Sequence, residues 1–141
     1  MAVYDEIDIF LTPSGDISTA SNGDLAMAEP SGVVAQDIMF RARTDWNDFD
    51  PHPKLGANLQ SLIGGQNNRE SAARAEELLF NSLTDDGRMD ALDLRIKAVP
   101  ISMSQIVLYS FVNASNYDTT LFTAAVLDYE DGIINAPGGG Q

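Results

Sequence analysis

His52 is the only histidine in the chain and there is no cysteine, so neither a histidine cluster nor a thiolate set is available to hold a metal. His52 stands between Pro51 and Pro53, where a surface loop residue is expected. Service as a general base would need a nucleophile and an orienting acid beside it. Asp85-Asp86 has the composition of half a metal or glycosidase site, although a solvated acidic helix end is the commoner source of such a pair. Glu76-Glu77 falls on the wet side of its helix by phase. With 21 Asp and Glu in the chain, carboxylate pairs arise by chance, and their number does not point to glycoside hydrolysis. Trp46, Phe49 and Tyr117 could line a sugar site, but core or interface packing is the better default for aromatic residues. Gly64-Gly65 and Gly138-Gly139-Gly140 lack the Lys-Ser/Thr of a phosphate loop. No catalytic, cofactor-binding or metal-ligating residue is expected.

The elements around Asp85-Asp86 are legible from residue 67 to residue 100. Asn67 with Glu70 three residues on has capping-box spacing, and Ala72, Ala75, Leu79 and Leu83 follow at steps of three and four. Glu70 and Arg74 are placed for a helical ion pair. Asp85-Asp86-Gly87 should end the helix, Gly87 taking the left-handed conformation. From residue 92 the period becomes two: Leu92, Leu94, Ile96 and Ala98 alternate with Asp93, Arg95 and Lys97. Pro100 closes this strand, and residues 105–112 return antiparallel. Ile106, Leu108 and Val112 share one face, Val107, Tyr109 and Phe111 the other, the pattern of a strand covered on both sides. A long last strand over residues 119–129 is expected, edged by Asp128, Glu130 and Asp131, which would discourage unwanted pairing.

Upstream, Ile7-Asp8-Ile9-Phe10-Leu11, the turn Pro13-Ser14-Gly15-Asp16 and the Asn-Gly turn at Ser21-Asn22-Gly23-Asp24 predict a ribbon of short strands over residues 1–30. Its apolar surface is too small for it to stand alone. Ser31 or Gly32 should cap a helix over residues 33–46, with Val34, Ile38 and Ala42 in one row and Arg41, Arg43 and Asp45 on the solvated side. Leu59, Leu62 and Ile63 suggest a further short helix. The fold class is therefore α+β: an antiparallel sheet of three to four strands, about three helices on one face, and the N-terminal ribbon. Leu79, Leu83, Leu94, Ile96, Ile106 and Leu108 should be buried together. Residues 1–134 form a single domain (ribbon 1–30, core 31–134), and the glycine-rich residues 135–141 a flexible tail.

Of the 141 residues 44% are hydrophobic and 21% charged, ordinary for one globular domain, but eight Lys and Arg against 21 acids give a net charge of -13. Nucleic-acid binding is disfavoured by that balance. The N-terminus is acidic where a signal peptide is basic, and no apolar run approaches a membrane span, so synthesis in the cytoplasm without membrane insertion is expected.

From Phe49 to Val126 the chain resembles the sheath-initiator family of contractile phage tail baseplates, to which a type VI secretion baseplate subunit is related. Phe49-Asp50-Pro51 followed by Leu55-Gly56 and Leu59 is similar to the family's Asp-Pro-x-aromatic-Gly-x-x-Leu loop, with one extra residue between Asp50 and Gly56. Asp86-Gly87-Arg88-Met89 falls where the family has Glu-Pro-Arg-Ile, with only the arginine unchanged. The strand ending Val99-Pro100-Ile101 is followed by two more in the same order. Gly15-Asp16-Ile17 and Gly23-Asp24-Leu25 resemble the Gly-Asp-Leu starts of baseplate relatives.

The resemblance implies a structural protein of the virion, present in several copies around the tail axis and in contact with sheath, wedge and hub or tube proteins. It implies docking to wedge proteins through Asp86, Gly87 and Arg88. Attachment of the first sheath ring would use the last strand, Leu121, Phe122, Thr123, Ala124, Ala125, Val126 and Leu127, by strand addition. Some relatives are described as lysozyme-like, so a glycan-cleaving enzyme is the rival reading. The equivalent subunit of a type VI or other contractile injection system is a third.

Overall fold

The structure, a computed structural model, describes residues 3–12, 16–62, 65, 67–114, 120–128 and 132–134. Expectations for Ile63, Gly64, Tyr117, residues 119 and 129–131, and the tail 135–141 fall outside these residues.

The chain is α+β with antiparallel sheets, as expected. A small ribbon pairs β1 (Asp8–Ile9) with β2 (Met27–Ala28), and bridges at Leu11↔Ile17 and Thr19↔Leu25 extend it. The Asn22-Gly23 turn is formed, with Gly23 at φ +88° and the Ala20 N–H donating to the Asp24 carbonyl at 2.7 Å. The main sheet has the order β3-β4-β5-β6: β3 (Leu94–Pro100), β4 (Gln105–Val112), β5 (Leu121–Asp128) and the three-residue β6 (Gly132–Ile134). Two α-helices accompany it, α1 (Pro30–Arg43) and α2 (Arg69–Thr84). In place of the third helix there is a single 3-10 turn, Leu59–Leu62, too short for two helical turns and anchored by the buried Leu59.

Both helices lie on one face of the sheet. Ile38 and Ala42 of α1 and Ala75, Leu79 and Leu83 of α2 share a core with Leu94, Ile106, Leu108, Val112 and Leu127, and Ile96 packs at its margin. The expected core sextet is thus assembled.

Local chemistry moved several boundaries. α1 starts three residues early because Pro30 occupies its first turn after Glu29, a position where the missing N–H costs nothing. It ends at Arg43, leaving Trp46 in the following loop. α2 is capped by Asn68, not Asn67: Asn68 Oδ1 accepts from Ser71 N–H at 3.0 Å and Ser71 Oγ accepts from Asn68 N–H at 2.9 Å. Asn67 instead donates to the Ser102 and Gln105 carbonyls, pinning the β3–β4 turn. Arg74 pairs with Glu77 rather than Glu70. The strand begins at Leu94, so Leu92, assigned by alternation to the inner face, is 91% exposed and Asp93 is buried in its stead.

Glu76 is not merely wet. Its carboxylate accepts from the Ala98 N–H at 2.7 Å, satisfying a backbone donor on the side of β3 that faces away from β4. The outer edge of β3 is therefore capped by a helix side chain. The ribbon is fastened at two places. Gln36 of α1 accepts from Leu11 N–H and donates to the Ile9 carbonyl. Tyr4 is buried, donating to Asp93 at 3.1 Å and accepting from Asp90 N–H at 3.0 Å. Burial pushes the Tyr4 phenol up, and the neighbouring Asp93 and Asp90 carboxylates add to the rise.

Candidate functional site

Gly87, at φ +78°, lets the chain turn off the end of α2 and aims Asp86 and Arg88 at α1. Four charges meet there in crossed pairs. Asp86 accepts from Arg41 at 2.7 Å, while Arg88 donates through Nε to Asp37 at 2.5 Å and also binds it through Nη2. Arg88 additionally approaches Glu6 of the N-terminal segment at 3.6 Å. Arg41 reaches past Asp86 to the Ser82 carbonyl, one of those left open in the last turn of α2. Asp37 and Arg41 are four apart on α1, hence on one helical face, and each finds its opposite in the connector.

This arrangement changes the reading of Arg88. Its side chain is only 15% accessible, and its guanidinium fork is occupied by this chain's own carboxylates. Arg41, assigned to the solvated side of α1, is equally covered. At Asp86 burial pushes the carboxyl up, but hydrogen bonds from Arg41 and the Arg88 N–H and the Arg41 charge outweigh it and hold the pKa below its usual value. The outward oxygen surface of the motif is therefore Asp86, not Arg88.

Asp86 also borders a groove of 890 Å³ between α2 and the loop after α1, walled by Trp46, His52, Lys54, Arg74 and Asn81. That loop contains Phe49-Asp50-Pro51 and Leu55-Gly56. It is latched to α1 by Ala57 N–H donating to the Arg41 carbonyl and Asn58 N–H to the Thr44 carbonyl. Gly56, at φ +94°, lies so close to Thr44 that a Cβ would meet its carbonyl oxygen at 2.3 Å. His52 stacks obliquely on Phe49, with ring centroids 5.8 Å apart, and Lys54 lies over Trp46. Asp45, near Asp48, has its carboxyl raised by burial and by that neighbour's charge, against a lowering hydrogen bond from Gln60 N–H. Among the described residues no group of three or more His, Asp and Glu is placed to hold a metal.

The second candidate, β5, pairs with β4 along its whole length, from Val112↔Leu121 to Gln105↔Asp128. On its other side, among the described residues, Val126, Leu127 and Asp128 are paired with Ile134, Ile133 and Gly132. Val126 and Leu127 are thus already covered, and among the described residues no strand pairs with Leu121 to Ala125 on that side. Ala125 to Asp128 are buried, whereas Leu121, Thr123 and Ala124 are half-buried and Phe122 is 54% exposed. Asp128 does not guard an edge. It is buried and accepts from Gln105 Nε2 at 3.1 Å. The Asp86-Gly87-Arg88 connector and β5 are apart, and α1 is the element between them, holding Asp86 and Arg88 and packing on β5.

The sequence reading missed Asp37, Arg41 and Glu76. For the first two the sequence shows only opposite charges four apart on α1 and a second opposite pair at Asp86 and Arg88; their meeting comes from the packing. Glu76 carried no signal, because its partner is a backbone amide. Comparison with known protein families, with curated proteins and with solved structures finds no match. None of the described helices is long and apolar enough to cross a membrane.

Proposed function

We propose that the protein is a structural component of a contractile tail baseplate, in which β5 and β6 template the first sheath strand. The observation that carries this reading is on β5: among the described residues β6 pairs with Val126, Leu127 and Asp128, and no strand pairs with Leu121 to Ala125 on that side. An incoming strand laid end to end with β6 would find backbone donors and acceptors there, which supply affinity in strand addition. The sequence after β6 contains Pro137 and Gly138-Gly139-Gly140, residues ill suited to extend β6 along that line. The motif Asp86-Gly87-Arg88 then serves docking mainly through Asp86 and the connector's shape, with Arg88 holding that shape from within. The order of motifs along the chain supports the same assignment. Wedge and hub or tube proteins are the other neighbours in this reading, and the virion is its setting.

Adjacent residues in a strand direct their N–H groups to opposite sides. Phe122→Pro and Thr123→Pro therefore remove donors from different edges. One variant should lose stability through the β4 ladder. Its neighbour should stay folded and enter baseplates, yet leave tubes without sheath. Those amides of Leu121 to Ala125 that point away from β4 should also gain hydrogen-exchange protection when sheath protein is added. Unchanged exchange at saturating sheath protein, with both variants supporting sheath growth, would refute the template mechanism.

A further inference from the structure

Two exposed apolar faces remain outside this mechanism, and their charges are opposite. On the ribbon, Ile9 stands directly across from Met27, with Ile7 immediately before β1 and Leu25 two residues before β2. All four are exposed, Ile7 by 67% and Met27 by 55%, and Ile17 nearby is exposed too. The first forty residues contain no Lys or Arg, and Asp5, Glu6, Asp8, Asp16, Asp24 and Glu29 stud this part of the chain. The patch is apolar, and the charged residues near it in the sequence are all acidic.

The outer face of the sheet is its counterpart. Phe122 stacks on Tyr109 with centroids 5.5 Å apart and lies 5.4 Å from Phe111, and the exposed Val99 continues the apolar strip. Arg95 lies over Phe111 and Lys97 stands opposite Tyr109, both exposed. In a chain of net charge -13 with eight basic residues, two of them flank one aromatic strip. The outward residues of β3, β4 and β5 include one carboxylate, Asp128, and it is buried against Gln105.

We propose that these faces are two halves of one contact: the ribbon of one copy docks on the outer sheet face of a second copy, head to tail. A chain cannot satisfy its own pair. The ribbon is fastened to α1, on the inner side of the sheet, and the aromatic strip lies on the other side. A contact between different patches is heterologous, so it closes into a ring or runs on as a filament. Ion pairs at its rim orient the docking, and the apolar centre supplies most of the affinity. The inference stands on surface chemistry alone and does not depend on the baseplate reading.

The test is mass against concentration for the full chain by analytical ultracentrifugation. At about 0.15 M salt the Debye length is about 8 Å, which mutes the repulsion between two acidic molecules while sparing contact pairs. Wild-type mass should rise with concentration past the dimer. Met27→Lys, on the ribbon, and the double variant Arg95→Glu, Lys97→Glu, on the sheet, should each weaken association about tenfold or more. All three positions are exposed, and circular dichroism checks that the fold is kept. Phe122→Ser provides a second sheet-face variant free of any charge change. The decisive arm mixes Met27→Lys with Phe122→Ser at equal concentration. Each retains the half that the other lacks, so the mixture should form a dimer and stop there. A wild type that stays monomeric to about 1 mM overturns the proposal, as does a mixture that remains monomeric while the wild type associates.

Discussion

Arg88→Ala should destabilise the fold by about 2 kcal/mol, and the number follows from what surrounds the guanidinium. The side chain is 15% exposed and that of Asp37 26%, so truncation leaves a largely desolvated carboxylate without its partner. A hydrogen bond to a charged group is worth roughly 1.5–3 kcal/mol, and orphaning a fully buried charge costs about 3–5. Water still reaches Asp37, which places the loss at the lower end of these ranges. Glu6, 67% exposed and 3.6 Å away, adds little because solvent screens it. Urea unfolding followed by circular dichroism measures the loss directly, and the melting temperature should fall by about 5–8 °C. Arg88→Lys should recover only part of it, since an ammonium cannot reproduce the two-nitrogen grip on Asp37. In a double-mutant cycle with Asp37→Asn the two losses should be strongly non-additive. A loss below about 0.5 kcal/mol would mean that the pair is solvated. Arg88 would then be free for an external partner, and the internal-clasp argument would be wrong.

Two further outcomes follow from the same corner of the molecule. Asp86→Asn should be less stable than wild type at pH 7. A folded pKa held below 3.8 gives stabilisation that is complete above 3.8 and lost as the pH falls through the folded value, so the two urea midpoints should converge on acidification. A gap that widens toward low pH would reverse the assigned sign. Gly56→Ala should cost about 3 kcal/mol or more, because positive φ and a backbone oxygen 2.3 Å from the new Cβ act together. Gly87→Ala, with positive φ but open space, should cost only about 1–2 kcal/mol. Equal losses would show that the approach to Thr44 is not tight.

Much of the fold was legible because periodicity reports burial. The alternation at Leu94, Ile96 and Ala98 and the three- and four-residue steps of Ala72, Ala75, Leu79 and Leu83 each state which side faces the core. The same logic fails at element ends, where one extra residue turns Leu92 outward and Asp93 inward. Caps were misplaced by single positions for a related reason: Asn67 and Asn68 are both competent, and Ser71, which completes the reciprocal bonds, decided between them. At the site, residue type identified Arg88 as special without saying what it binds. Asp37 and Arg41 are remote in sequence, and only the packing of α1 against the end of α2 makes them its neighbours.

The two edges of the sheet are treated differently, and the difference bears on where a strand could enter. On β3 the Ala98 amide is taken by Glu76, and Pro100, which donates no hydrogen bond, ends the strand. Arg95 and Lys97 project from the same strand, and charge of that kind makes an added strand costly. On β5, among the described residues, the protection is partial: β6 pairs with Val126, Leu127 and Asp128. An edge left open by accident would be expected to carry charge or proline. Leu121, Phe122, Thr123, Ala124 and Ala125 carry neither. Their inward members, Leu121 and Ala125, belong to the core, so the strand cannot slip by one residue without turning core side chains outward. The register of the open stretch is therefore fixed before any partner arrives. If a strand is added to this sheet, as proposed, β5 suits it better than β3, whose Ala98 amide is already taken by Glu76.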